Sequence, residues 1–309
     1  MKPTVYIPTL RAGDRLARTL EALETQSTRP EVVIADNSGE RLGGHLVKER
    51  FPWAEAVEFG ENLGFGKALN RAVRERPGDP IVFLNDDVTV EAGFVDALTA
   101  MAGEAQMVAA VLLREREPTM IDSAGVIADR TLLGIDYLNG EPVEILATAA
   151  DPLGPTGGAA LFSHDAFQAV GGFDERMFLY YEDLDLALRV RQAGGTCRLA
   201  PAARGLHAYS ETLGANSARK YAMTGWSRGY MLRAYGFSSR PGLLARAVIA
   251  DAAICAGQIV GKHTTAGLRG RLRGWQAGKD VPRRPLPDNG LSSMSLREAL
   301  QLRRRRYNG

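Results

Sequence analysis

The stretch "IVFLNDDV", residues 81–88, decides how the rest of the chain is read. Four apolar residues run without polar alternation, which predicts a strand buried on both faces of a parallel sheet. Asn85 and two adjacent carboxylates, Asp86 and Asp87, close the run. Like charges at a strand exit repel and lose hydration unless a positive group sits with them. The sequence therefore asks for a cation at this point.

Working outward, strand-like runs alternate with helical patterns through the first hundred residues. "TVYIPT" (4–9) precedes a helix with Leu16, Leu20 and Leu23, and "EVVIADNS" (31–38) precedes a segment with Leu42, Leu46 and Val47. "AVEFGEN" (56–62) leads into the helix "GKALNRAVRE" (66–75) and so to the strand at 81. Such alternation predicts an α/β fold with a mostly parallel sheet flanked by helices. Ligands of these sheets bind outside the carboxyl ends of the strands. Three polar clusters fall there: Pro8–Thr9, Asp36–Asn37 and Asn85–Asp87. Residues 114–156 show only scattered polar residues and weak strands. Order returns at "GPTGGAALF" (154–162), a helix near 164–170, "GGFDERMFLYYEDLDLALRVRQAGG" (171–195) and the strand "TCRLAP" (196–201), followed by "ARGLHAYS" (203–210). From about residue 215 the pattern is helical.

The 309 residues are 45% hydrophobic and 24% charged with a net charge of +2, an ordinary globular composition that excludes disorder and fibrous order. The charge is unevenly placed. Residues 261–309 carry twelve Lys or Arg against three Asp or Glu, so +9, which leaves −7 for residues 1–260. Cys197 and Cys255 share no metal-like spacing, consistent with free thiols in a reducing, cytoplasmic compartment. "MKPTVYIPTL" enters a strand at once, so no signal peptide is expected. "LLARAVIADAAICAGQIVG" (243–261) is apolar but interrupted by Arg246 and Asp251, and reads as a buried or surface-lying helix.

Several clusters could carry chemistry. Asn85-Asp86-Asp87 suits a hard divalent cation, Mg²⁺ or Mn²⁺, shared with phosphates; the acids could equally cap a helix starting near Glu91. Gly64 and Gly66 in "ENLGFGKALNRAV" open a helix, where backbone N–H groups and the dipole favour an anion, although a plain strand-to-helix turn has the same pattern. Asn62 and Asn70 fit either version. Asp36 and Asn37 form either an Asx-type turn or a contact to a nucleobase or ribose. Glu182 and Asp183, after Tyr180 and Tyr181, sit at a helix start where acids are stabilised whatever they do. His207 is either structural or the completing ligand of a carboxylate metal site.

Taken in order, "IPT", "ADNSG", "ENLGFGKALN", "FLNDDV", "GGAALF", "GGFDERMFLYYEDLDLALRVRQAG" and the late His resemble the family 2 inverting glycosyltransferases of GT-A (Rossmann-like) fold, and among them the rhamnosyltransferase-type members. The resemblance covers roughly residues 3–235. It implies that Asn85-Asp86-Asp87 stands for the D-x-D motif, with Asp87 the direct metal ligand and Asn85 a departure from the motif's first Asp. It further implies a donor nucleotide pocket of Pro8, Thr9, Asp36, Asn37, Asn62, Gly64, Lys67, Asn85 and Asp86, with His207 a further metal ligand. Asp183 falls on the catalytic base, with Glu182 beside it. The domain layout implied is a GT-A domain over 1–235, its nucleotide-binding part about 1–105 and its acceptor side about 106–235, then a basic helical extension over 236–309.

The expected activity is Mg²⁺- or Mn²⁺-dependent transfer of a sugar from a nucleotide-diphosphate donor to a saccharide or polyprenyl-linked saccharide in cell-envelope polysaccharide synthesis. dTDP-rhamnose is the expected donor, with UDP-sugars such as UDP-galactofuranose as the alternative. The extension is expected at an anionic membrane surface, peripheral to the inner face of the plasma membrane, and nucleic acid is not an expected partner. Two rivals of other classes are a Mg²⁺-binding phosphoryl-transfer or receiver-type protein and a catalytically silent sugar-binding protein on the same fold.

Overall fold

The structure is a computed structural model that describes residues 2–208 and 217–305; Arg306 of the terminal basic run and Tyr209–Ser210 lie outside the described residues. The first part runs β1 (Thr4–Thr9), α1 (Asp14–Glu24), β2 (Glu31–Asp36), α2 (Leu42–Arg50), β3 (Glu55–Glu58), α3 (Phe65–Glu75), β4 (Ile81–Leu84), β5 (Val88–Val90) and α4 (Phe94–Met101). The second runs β6 (Met107–Arg114), β7 (Glu117–Ser123), β8 (Val126–Ala128), β9 (Gly134–Asp136), β10 (Ala159–Phe162), α5 (His164–Ala169), α6 (Glu182–Gln192) and β11 (Cys197–His207). The helices α7 (Ala218–Ala234), α8 (Pro241–Lys262), α9 (Ala266–Ala277) and α10 (Leu296–Arg305) complete it.

The main sheet has the order β3-β2-β1-β4-β10-β6-β11-β5, with β7 beside β6. From β3 to β4 every pair is parallel, as the alternation predicts. β10 is antiparallel to both neighbours, while β6 and β11 run parallel. The apolar run at 81 is buried on both faces because it splits by period 2. Tyr6 and Phe83 point into the core under α3 and α6, whereas Val5, Ile7, Val82 and Leu84 meet α1 and α4. In α3, Ala68, Leu69, Ala72 and Val73 turn one stripe onto that sheet.

Two features depart from the sequence reading. After Asp87 the chain forms β5, antiparallel to β11, and α4 starts only at Phe94 behind the left-handed Gly93, so Asp86 and Asp87 cap no helix. The segments at 196–201 and 203–207 are one strand, β11, with a register shift between Leu199 and Arg204.

The C-terminal helices are tied to the body. α7 and α9 cross at glycine contacts: a Cβ on Gly229 would lie 2.0 Å from the Arg271 carbonyl oxygen, and one on Gly274 1.8 Å from that of Trp226. Asp251, which interrupts the apolar α8, is buried between Arg271 (2.9 Å) and the fully buried Arg228 (3.3 Å). α8 is therefore a surface-lying helix clasped through Asp251. It is long and apolar enough to cross a membrane by length and composition alone.

Candidate active site

The carboxyl ends of β1 and β4 open into a cleft of about 480 Å³. Asp86 turns toward the fold. Its Oδ2 accepts the Thr9 hydroxyl at 2.6 Å, and its carbonyl accepts the Thr19 hydroxyl at 3.2 Å. Burial pushes the Asp86 carboxyl up to about 6, the Thr9 bond opposing it. Asp87 is held differently. β5–β11 pairing sets His207 opposite Val88, and Ala208 N–H donates to the Asp87 carbonyl at 3.1 Å. His207 Nε2 then lies 3.4 Å from Asp87 Oδ1, while Nδ1 donates to Asp122 Oδ2 at 2.6 Å.

Burial alone would lower the His207 pKa. Its bonds to Asp122 and Asp87 overcome this and push it up to about 10, so the ring is an imidazolium at neutral pH. Asp87 is correspondingly held below the usual carboxylate range, its burial outweighed by His207. The cation that the strand exit asks for is thus present in the chain itself.

The same donors fit a divalent ion in part. One carboxylate and one imidazole, the latter oriented by a second carboxylate, suit Mn²⁺ or Mg²⁺ completing its shell with phosphate oxygens and water. Among the described residues no three His, Cys, Asp or Glu side chains converge to hold an ion alone. Metal binding would displace the imidazole proton.

The opposite wall is the turn before α6. Tyr180 and Tyr181 both have left-handed backbones (φ +73° and +69°), a strained pair that swings the helix start into the cleft. Glu182 faces inward and is buried. Its Oε2 has no hydrogen-bond partner among the described residues, and burial, then the Asp183 charge, push its carboxyl up to about 8. Asp183 lines the cleft, its Oδ2 accepting from Gly157 N–H at 3.1 Å and Oδ1 from Leu184 N–H at 2.7 Å. Gly157 sits close under Phe65: a Cβ there would lie 3.2 Å from the ring, which would have to give by a few tenths of an ångström. The other acids of this block are structural. Asp185 takes Arg189 at 2.8 Å with Tyr235 and Arg284, and Asp174 takes Tyr230 and Arg284.

Pro8, Thr9, Asn37, Asn62, Gly64, Asn85, Asp86, Asp87, Glu182, Asp183 and His207 all line this one cleft. Two expected residues do not. Asp36 is 1% exposed. Its oxygens accept from Ser38 N–H (3.0 Å) and hydroxyl (2.6 Å) and from the N–H groups of Gly43 (2.7 Å) and Gly44 (3.1 Å). It closes an Asx turn and accepts from two amides in the first turn of α2. Lys67 is exposed on the outside of α3, away from the cleft. Three amides of the turn that opens α3 are already taken. Leu63 N–H bonds Asn37 at 2.8 Å, Gly64 N–H bonds Asn62 at 2.9 Å, and Phe65 N–H bonds the Phe178 carbonyl at 2.9 Å. The plain turn explains that motif. Asn70 likewise clasps the backbone of Phe173 at 2.9 Å on both sides.

Asp122, Arg219, Lys220 and Arg303 line the cleft without having been singled out from sequence. Asp122 ends "EPTMIDS", a β7 too irregular to read, and the three cations lie in helices far along the chain.

The family pattern for glycosyl transferase family 2 matches residues 4–170. The chain belongs to glycosyl transferase family 2. Membership makes it a glycosyltransferase and removes the phosphoryl-transfer alternative. It is 29% identical over 246 residues to an N-acetylglucosaminyl-diphospho-decaprenol L-rhamnosyltransferase of Mycobacterium tuberculosis, covering 71% of this chain and 80% of that one. It is 22% identical over 210 residues to the O-antigen biosynthesis protein RfbC of Myxococcus xanthus, covering 62% of this chain and 16% of that one. Two solved structures share the GT-A fold. GalNAc-T7 with UDP, GalNAc and Mn²⁺ aligns with TM-score 0.59 at 16% identity, over 79% of this chain and 51% of that one. The mannosyltransferase PcManGT from Pyrobaculum calidifontis with GDP-Man and Mn²⁺ aligns with TM-score 0.54 at 18% identity, over 90% and 84%.

Proposed function

We propose that this family 2 enzyme transfers rhamnose from dTDP-rhamnose, with inversion, to a polyprenyl-diphosphate-linked N-acetylglucosamine. The observation that supports it is the placing of Asp87–His207 and Asp183 on two walls of one cleft, in a chain whose 29% relative carries that acceptor in its name. Inversion needs an acceptor hydroxyl to attack opposite the leaving diphosphate. Asp183 takes the hydroxyl proton as the new bond forms; its bond from Gly157 N–H orients the carboxylate. Asp87 and His207 hold the divalent ion, which when bound neutralises the charge gathering on the leaving diphosphate. Thr9 keeps Asp86 turned away, so that of the two carboxylates Asp87 would be the one to hold the ion.

The acceptor lipid implies a membrane, and the structure offers a face for one. Val248, Ile249, Ile259 and Val260 of α8 and Leu268 and Leu272 of α9 are exposed, Val260 by 76%. Arg246, Lys262, Arg269 and Arg273 stand on the same two helices. Exposed apolar residues and cations on the same helices suit an anionic bilayer surface, peripherally on the cytoplasmic side. Leu243 and Leu244 belong to the core instead, packed against it.

The test is product formation from dTDP-rhamnose, UDP-galactofuranose and other nucleotide sugars with a short-chain prenyl-diphospho-GlcNAc and Mn²⁺. Rhamnosylation that stops in EDTA is expected; transfer from another donor only, or full turnover in EDTA, would overturn the donor or the metal. Co-sedimentation with anionic vesicles should be lost when Val248, Ile249 and Val260 are changed to Ser, and unchanged sedimentation would remove the membrane face.

A further inference from the structure

Besides Arg11 beyond β1, the cleft carries three cations that neither the metal nor the base requires. Arg219 and Lys220 stand in the first turn of α7, and Arg303 near the end of α10. Two of them contact the strained tyrosines. Arg303 Nη1 donates to the Tyr181 hydroxyl and to the Gly134 carbonyl, each at 3.2 Å, and Lys220 Nζ lies 5.7 Å from the centre of the Tyr180 ring. The first turn of a 17-residue helix carries positive potential, α7 has no acid there, and Lys220 is 5% exposed. That field, with the cations beside it, favours a bound anion.

The position says which substrate the anion belongs to. The donor diphosphate is expected at Asp87 and His207, whereas the tyrosines directly precede Asp183, where the acceptor hydroxyl must lie. Gly134 opens β9, part of the small β8–β9 sheet beside the same wall. We infer that Arg219, Lys220 and Arg303 form a phosphate-binding rim that holds the diphosphate of a lipid-linked acceptor, an inference that rests on the transferase reading above. Guanidinium forks match phosphate oxygens, and a lysine adds a point charge. The basic C-terminal segment would then act inside the cleft as well as at the membrane.

The test uses the full chain and a probe that involves no sugar transfer. Farnesyl diphosphate binding is titrated in EDTA, and dTDP binding with Mn²⁺, for wild type, Arg219→Gln/Arg303→Gln and Arg303→Lys, each checked by its thermal melt. Losing charged hydrogen bonds should weaken farnesyl diphosphate about 10- to 100-fold in the double variant, with dTDP affinity unchanged and Arg303→Lys retaining most of the binding. If dTDP weakens while farnesyl diphosphate does not, or both weaken alike, the rim serves the donor and the inference falls. It falls too if neither changes or if wild type does not bind the probe. Binding lost as expected in a chain that transfers no rhamnose would overturn the transferase reading and leave the rim standing.

Discussion

Two acid pairs face each other across the cleft, and they are built alike. In each, the first acid is turned inward and raised, Asp86 to about 6 and Glu182 to about 8. In each, the second acid, Asp87 or Asp183, is the one placed for chemistry. The support differs. Asp86 hangs from a hydroxyl of β1, and Asp87 is pinned by a histidine that a second carboxylate holds. Among the described residues Glu182 has an oxygen without a partner, and Asp183 accepts from the backbone N–H groups of Gly157 and Leu184. The strand-exit pair is thus fixed by side chains from three strands and suits a site that must keep one geometry for an ion. The helix-start pair is set by the tyrosine turn and by Gly157, and Asp183 lines the cleft where a hydroxyl can approach.

The largest expected effect separates the pairs by rate. General-base catalysis contributes about 10²- to 10⁴-fold, so Asp183→Asn should lower kcat by that order in the rhamnosylation assay. Asn keeps the size and the helix start, so the thermal melt should stay. Normal turnover in Asp183→Asn would move the base elsewhere. Next comes the support of Asp87: Asp122→Asn should weaken Mn²⁺ binding, measured by titration with dTDP present, by about 10- to 100-fold. Unchanged affinity would make Asp122 a bystander.

A smaller effect tests Asp36. With its oxygens spent on Ser38, Gly43 and Gly44, Asp36→Ala should cost about 1–2 kcal/mol in denaturant unfolding, as cap loss does, and leave dTDP affinity alone. Lost nucleotide affinity without lost stability would restore it to the donor site. The smallest effect concerns Glu182. The folded chain retains a proton there that the unfolded chain releases, so this group makes stability fall as pH rises from about 4.5 to about 8. In Glu182→Gln the slope of Tm against pH across that window should be flatter than in wild type. Identical slopes would mean that the carboxyl is not protonated in the fold.

These pairs also show what a sequence makes legible. The strand at 81, the helix stripe of α3 and the polar strand exits follow from periodicity, because each is a local pattern over fewer than a dozen residues. The pairs themselves could be quoted as they stand. Which acid of each pair turns inward could not, since that depends on Thr9, on the β5–β11 register and on the tyrosine turn. For Asp36 an Asx turn and a ribose contact use the same residue at the same strand end, so the sequence alone left both open. Lys67 misled because a helix start near a site also has an outer face. Asp122 and the three cations were hidden for a different reason: they reach the cleft only through contacts between distant segments, such as Arg303 with Gly134 and Tyr181.

The division of labour between the pairs is tested most directly by one titration on two variants. The affinity for dTDP is measured with Mn²⁺ and again in EDTA for Asp87→Ala and Asp183→Asn. Asp87→Ala should bind dTDP equally weakly in both conditions, having lost the metal-dependent part, while Asp183→Asn should match wild type in both. If Asp87→Ala keeps its Mn²⁺ dependence, or Asp183→Asn loses it, the two walls do not divide donor and acceptor between them.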